Sequence, residues 1–160
     1  MKRILCAIFA AAMLFSVGCG KNKDNSPANS GKTQTADGTN YDNTVTFVDG
    51  KLDGTDFNWQ YFSAKVESGR GGEIGVVITE NGTARTVGIR YDGKSFTVTD
   101  GEVVFFFDHL VSFEAAGRSF SVLTDDEGMT AEKFFGSASP SSLKVGDSNS
   151  NGFVVFVKEK

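Results

Sequence analysis

Cysteine is almost missing from this chain, and both copies, Cys6 and Cys19, fall within its first nineteen residues. From Gly20 onward no residue can form a disulfide, act as a thiolate nucleophile or give a sulfur ligand to a metal. That long remainder must hold its fold by its core alone. Histidine occurs once, at His109, so a transition-metal site built from several imidazoles or thiolates is excluded. Asp108 precedes it, but neighbouring residues on a strand point to opposite faces and do not make an acid/base pair; a strand-end or turn histidine is the expectation. The chain has no Gly-x-Ser-x-Gly elbow, no P-loop and no dinucleotide fingerprint. Basic residues are outnumbered, 16 against 20, which argues against nucleic acid or anionic head groups as partners. Proline appears twice and tryptophan once in 160 residues.

Glycine and phenylalanine are abundant, at 19 and 15 residues. Such a chain suits strands joined by tight turns better than helices, where Gly is costly and Phe has no advantage. From Ile74 to Asp108 the dipeptides Asn81-Gly82, Asp92-Gly93 and Asp100-Gly101 punctuate apolar segments at nearly regular intervals. Asn-Gly and Asp-Gly supply the positive φ angles of type I′ turns, so the spacing predicts a β-meander of three successive two-residue hairpins. Ile74, Val76 and Ile78 share one face, as do Val87, Ile89 and Tyr91, and then Phe96 and Val98. Val103 to Phe107, Val-Val-Phe-Phe-Phe, is apolar on both sides and predicts a central strand covered on both faces.

The amino terminus reads as a targeting segment. Lys2 and Arg3 precede the apolar run Ile4 to Phe15, which is too short to span a bilayer and ends in small residues. Ser16-Val17-Gly18-Cys19 resembles the lipobox of bacterial lipoproteins. The resemblance implies cleavage before Cys19, diacylglycerylation of its thiol and acylation, by palmitate or a similar chain, of the new amino terminus. Removing Lys2 and Arg3 leaves 14 basic against 20 acidic residues, a net charge near −6. Gly20 stands where an Asp would imply retention in the inner membrane, so the resemblance allows the outer membrane or the outer face of the cytoplasmic membrane.

Residues 19–40 hold no large apolar side chain and cannot bury enough surface to offset their ordering entropy. They are expected to be a flexible tether for a domain spanning 41–160. Within that domain Thr44 to Val48 predicts a strand stopped by Asp49-Gly50, and Phe57 to Val66 predicts a second. Leu110 to Phe113, Arg118 to Thr124 and Phe153 to Val157 predict three more, with a short helical turn at Thr130 to Phe135 capped by Thr130. Eight to ten short strands without a long helix predict an all-β fold, an antiparallel two-sheet β-sandwich, with a β-barrel as the alternative. Leu143 to Val157 resembles the closing strands of immunoglobulin-like domains of bacterial lipoproteins, over about a tenth of the chain.

The aromatic row Phe57, Trp59 and Tyr61 is the main candidate for ligand binding. On an exposed strand face it would make a platform for sugar rings or an extended peptide; facing inward it is core, and a lone tryptophan favours core. The acidic clusters Asp49, Asp53, Asp56 and Asp125, Asp126, Glu127 lack the ligand alternation of a calcium loop and read as turn chemistry. Asn81-Gly82-Thr83 matches a glycosylation sequon but reads as a hairpin turn. The expectation is a lipid-anchored lipoprotein of the cell envelope with a non-enzymatic module that contacts a protein or a glycan and uses no cofactor, metal or nucleic acid. Two alternatives are a structural or assembly role through an exposed strand edge and, less favoured, an envelope hydrolase.

Overall fold

In the computed structural model, residues 33–34 and 40–160 are described. The segment 1–18, Cys19 and most of 20–39 therefore lie outside the described residues. Where the tether was expected to run into the domain, β1 (Thr33–Gln34) pairs antiparallel with β2 (Asn40–Tyr41).

A six-stranded sheet is built from β3 (Thr44–Val48), β4 (Lys51–Asp53), β5 (Gly72–Glu80), β6 (Thr83–Tyr91), β7 (Phe96–Asp100) and β8 (Val103–Phe107), in the order β4-β3-β5-β6-β7-β8. The meander is real: β5, β6, β7 and β8 are consecutive antiparallel neighbours. Its turns are more varied than three type I′ hairpins. Only Asn81 and Gly82, with φ of 51° and 77°, make the expected turn. Asp92 opens a four-residue loop, its carboxylate accepting from the amides of Lys94 and Ser95 at 2.9 Å. Asp100 remains in the strand opposite Val103, so the last turn is Gly101-Glu102 with positive φ at Gly101 alone, the type II′ pattern.

One pair in this sheet, β3 with β5, is parallel, which departs from an all-antiparallel sandwich. Parallel neighbours cannot be joined by a tight turn and need a crossover. Here β4 makes the return, and the link from β4 to β5, which must pass β3, contains α1, Phe57–Glu67; this overturns the second strand expected at Phe57 to Val66. Trp59, Phe62 and Val66 fall at i, i+3 and i+7, a helical stripe that turns inward.

The second sheet has β9 (His109–Ala115), β10 (Arg118–Thr124), β11 (Ser148–Asn149) and β12 (Gly152–Glu159), ordered β11-β12-β10-β9. Two sheets without barrel closure make an all-β, sandwich-like fold. Between them lies one core, where Phe47 of β3 meets Phe156 of β12 edge to face at 5.6 Å and Phe105 of β8 meets Phe153 at 5.6 Å. On its other side the four-stranded sheet is covered by α2, Ala131–Phe135, as the short helical turn predicted. Thr130 is its N-cap, accepting from the Lys133 amide at 3.3 Å, and Phe134 and Phe135 pack on Phe113 and Phe120. Arg118 holds the following segment in place by donating from Nη1 to the carbonyls of Pro140 and Leu143, at 3.2 and 3.1 Å.

The strand covered on both faces is therefore β12, with every residue from Phe153 to Val157 buried. By contrast β8, expected at the centre, ends the six-stranded sheet. Phe105 and Phe107 turn toward the interior while Val104 and Phe106 stand on the outer face.

Candidate functional site

The aromatic row does not exist as a row. A helix places residues two apart on different sides, so Trp59 is directed inward while Phe57 and Tyr61 are left outside. Trp59 is 6% exposed, stacked on Phe156 with ring centroids 4.8 Å apart and planes within 6°. Phe57 and Tyr61, 68% and 49% exposed, share the solvent face of α1 at i and i+4. The Lys65 ammonium lies 4.8 Å from the centre of the Tyr61 ring. Three side chains read as one platform are thus a core residue and a separate surface pair.

One member of each acidic cluster, Asp56 and Asp126, is engaged in ordinary surface pairing. Asp56 precedes α1 and meets Lys158 at 2.6 Å; that hydrogen bond, with a second from Gln60, holds its carboxyl below the usual carboxylate range. Asp126 is lowered in the same way by Lys133, at 3.0 Å, and by the Gly128 amide. Asp92 is lowered by the Ser95 and Lys94 amides it caps. Among the described residues no three His, Cys, Asp or Glu side chains are grouped to hold a metal ion. His109 begins β9, half-buried opposite Thr124, with Asp108 exposed in the single-residue link from β8.

The outer face of the six-stranded sheet is more distinctive. Strand register aligns Thr44, Gly75, Gly88, Thr99 and Val104 in one row across β3, β5, β6, β7 and β8. The Tyr41 ring lies along this row over the two glycines. A Cβ on Gly75 would come within 2.9 Å of the ring, and one on Gly88 would overlap the tyrosine hydroxyl. Both glycines are needed because the ring approaches the bare backbone. The next row runs Glu73, Arg90, Thr97 and Phe106.

At the end of both rows is β8. Val103, Val104 and Phe106 are 53%, 48% and 69% exposed, and no residue from Val103 to Phe107 is charged. Other sheet edges are blunted. β4 is three residues with Lys51 and Asp53, β11 is two residues, and β9 carries Ser112 and Glu114 on its exposed positions. Short length and charge are the usual protections of an edge, and β8 has neither.

Comparison with protein-family models, with curated proteins and with solved structures finds no match to this chain. Function must be argued from these residues alone.

Proposed function

We propose that this chain is a lipid-anchored protein of the cell envelope whose sandwich is a non-enzymatic interaction module, with the β8 edge as its contact surface. Anchoring at Cys19 rests on the lipobox resemblance and on the polar segment that follows it. The observation that carries the binding role is the uncharged apolar edge Val103 to Phe107, on which Val103, Val104 and Phe106 are exposed. An exposed apolar strand with an open hydrogen-bonding side is an aggregation hazard unless a partner uses it. This location favours a protein partner over a glycan, since the aromatic platform that suggested sugar stacking is divided between core and surface. The same edge supports the assembly reading, in which a partner sheet is extended by β8. Kinship with immunoglobulin-like domains adds little support, because the parallel β3–β5 pair and its helix depart from that antiparallel plan.

The test has two parts. Cys19→Ser should move the protein from the membrane to the soluble fraction; persistence in the membrane sinks the anchoring reading. A photo-crosslinking phenylalanine analogue at position 106 in the anchored protein should give envelope adducts that the same analogue at position 61, on α1, does not. Equal adducts at both positions sink the edge as the contact surface.

A further inference from the structure

We infer that the β8 edge accepts an extended protein segment of alternating apolar residues bounded at each end by Lys or Arg, added as a seventh strand. The inference names the partner chemistry of the contact surface proposed above and rests on that reading.

Backbone geometry shows what is open. A two-residue hairpin turn is closed by a hydrogen-bonded pair, here Asp100 and Val103, and hydrogen-bonded and non-bonded pairs then alternate along the ladder. Val103, Phe105 and Phe107 therefore exchange their bonds with β7, while the N–H and C=O groups of Val104 and Phe106 face away from it. Among the described residues nothing follows β8 in the sheet order. The side chains of Val104 and Phe106 stand on the outer face beside Thr99 and Thr97. An added strand would meet two free peptide groups and an apolar pair on the same face.

Charge selects the occupant. Glu102 and Asp108, both exposed, bracket the five uncharged residues. In an antiparallel pair of two copies centred on Phe105, Glu102 of each would face Asp108 of the other, placing like charges opposite each other at both ends. The acids thus guard against self-pairing and favour a segment with a cation at each end. Nearby cations do not reverse this. Arg85 is engaged by Asp100, Arg90 is two strands away opposite Thr97, and Lys94 lies in the β6–β7 loop beside Asp92. Lys94 and Arg90 lie toward the Phe107 end, so Glu102 should be the stronger discriminator.

The probes are fluorescent synthetic peptides, Lys-Thr-Val-Thr-Val-Thr-Lys, which sets both valines and both lysines on one face, and its Glu-ended analogue, titrated into the full-length chain in detergent. The Lys-ended peptide should bind about tenfold more tightly at low salt, shift the amide resonances of Val104 and Phe106, and lose its advantage in about 1 M salt. Glu102→Lys with Asp108→Lys should reverse the preference. Val104→Pro, which removes an amide not used within the sheet, should abolish binding with the circular dichroism spectrum unchanged. Phe106→Lys does the same through the side chain should the proline disturb the strand. Equal binding of both peptides, shifts centred on β9 or β11, or dimerisation through β8 without peptide would overturn the inference. Adducts at position 106 in cells alongside equal peptide affinities would refute the charge rule and leave the contact surface standing.

Discussion

Replacing Trp59 with alanine should be among the most damaging single changes available to this fold. The side chain is 6% exposed, stacks on Phe156 at 4.8 Å and touches Phe62 at 5.8 Å. Burying a tryptophan removes about 200 Å² from water, worth about 5 kcal/mol at about 25 cal/mol per Å² and about 3–4 kcal/mol once a compact unfolded chain is allowed for. Core Trp→Ala substitutions cost about 3–5 kcal/mol, a large fraction of the about 5–15 kcal/mol available to a domain. Urea unfolding followed by far-ultraviolet circular dichroism measures it, since the variant has no tryptophan to report fluorescence. Phe57→Ala and Tyr61→Ala are the controls. On the solvent face of α1 they should cost less than about 1 kcal/mol, Tyr61→Ala losing its contact with Lys65. Had the segment been a strand with the three rings on one face, all three would respond alike. A Trp59→Ala loss below about 1 kcal/mol, or equal losses at all three positions, would refute the helical assignment and the packing drawn from it.

Four further outcomes are expected. Gly88→Ala should cost about 1–3 kcal/mol by displacing the Tyr41 ring, and the cost should largely vanish in a Tyr41→Ala background; a double-mutant cycle by urea unfolding reads the coupling. Ala116→Gly should stabilise by about 0.5–1 kcal/mol, because Ala116 has a φ of 50° in the β9–β10 turn; thermal unfolding checks it. Thr130→Ala should lose about 1 kcal/mol, the worth of an N-cap whose hydroxyl accepts from the Lys133 amide, seen as a lower urea midpoint. Asp56 and Asp126 have folded pKa values below the ordinary 3.8, so their contribution is fully present above that value and is lost as pH falls through the lowered folded values. Stability measured against pH should therefore decline below about pH 4, and less steeply in Asp56→Asn with Asp126→Asn.

The parts of the fold legible in the sequence were those governed by local chemistry. Asn81-Gly82 and Asp49-Gly50 have the positive φ angles expected of their turns, and Thr130 caps the helix it was read to cap. Sequence missed the turn at Ala116-Gly117, where glycine was the signal and alanine masked it. The error at Phe57 to Val66 arose because the segment fits two periods at once. Phe57, Trp59 and Tyr61 satisfy a repeat of two, and Trp59, Phe62 and Val66 satisfy one of 3.6. Topology decided between them, since β4 and β5 flank β3 and the segment that joins them must pass β3 rather than pair beside it. No local signal in residues 57–66 carries that requirement. Tyr41 over Gly75 and Gly88 was equally hidden, because the pairing of two glycines 13 positions apart appears only once register is known.

The two strongest apolar runs, Val103 to Phe107 and Phe153 to Val157, look interchangeable in sequence, yet one is a partly exposed edge and the other is fully buried. Connectivity accounts for the difference. β12 lies between β10 and β11 in a sheet that carries α2 on one side, through Phe113 and Phe120, and faces the six-stranded sheet on the other, whereas β8 is the last strand of a meander whose chain then leaves for the second sheet through Asp108 alone. A meander adds strands outward, so its last member is an edge unless something returns beside it. Nothing does so here among the described residues. Apolar character at β12 is explained by folding. At β8 the inward Phe105 and Phe107 are explained in the same way, but Val104 and Phe106 contribute little to the core, and replacing both with threonine should leave stability within about 0.5 kcal/mol. If that double variant instead loses several kcal/mol, the outer face of β8 serves the fold and the case for a partner there falls with it.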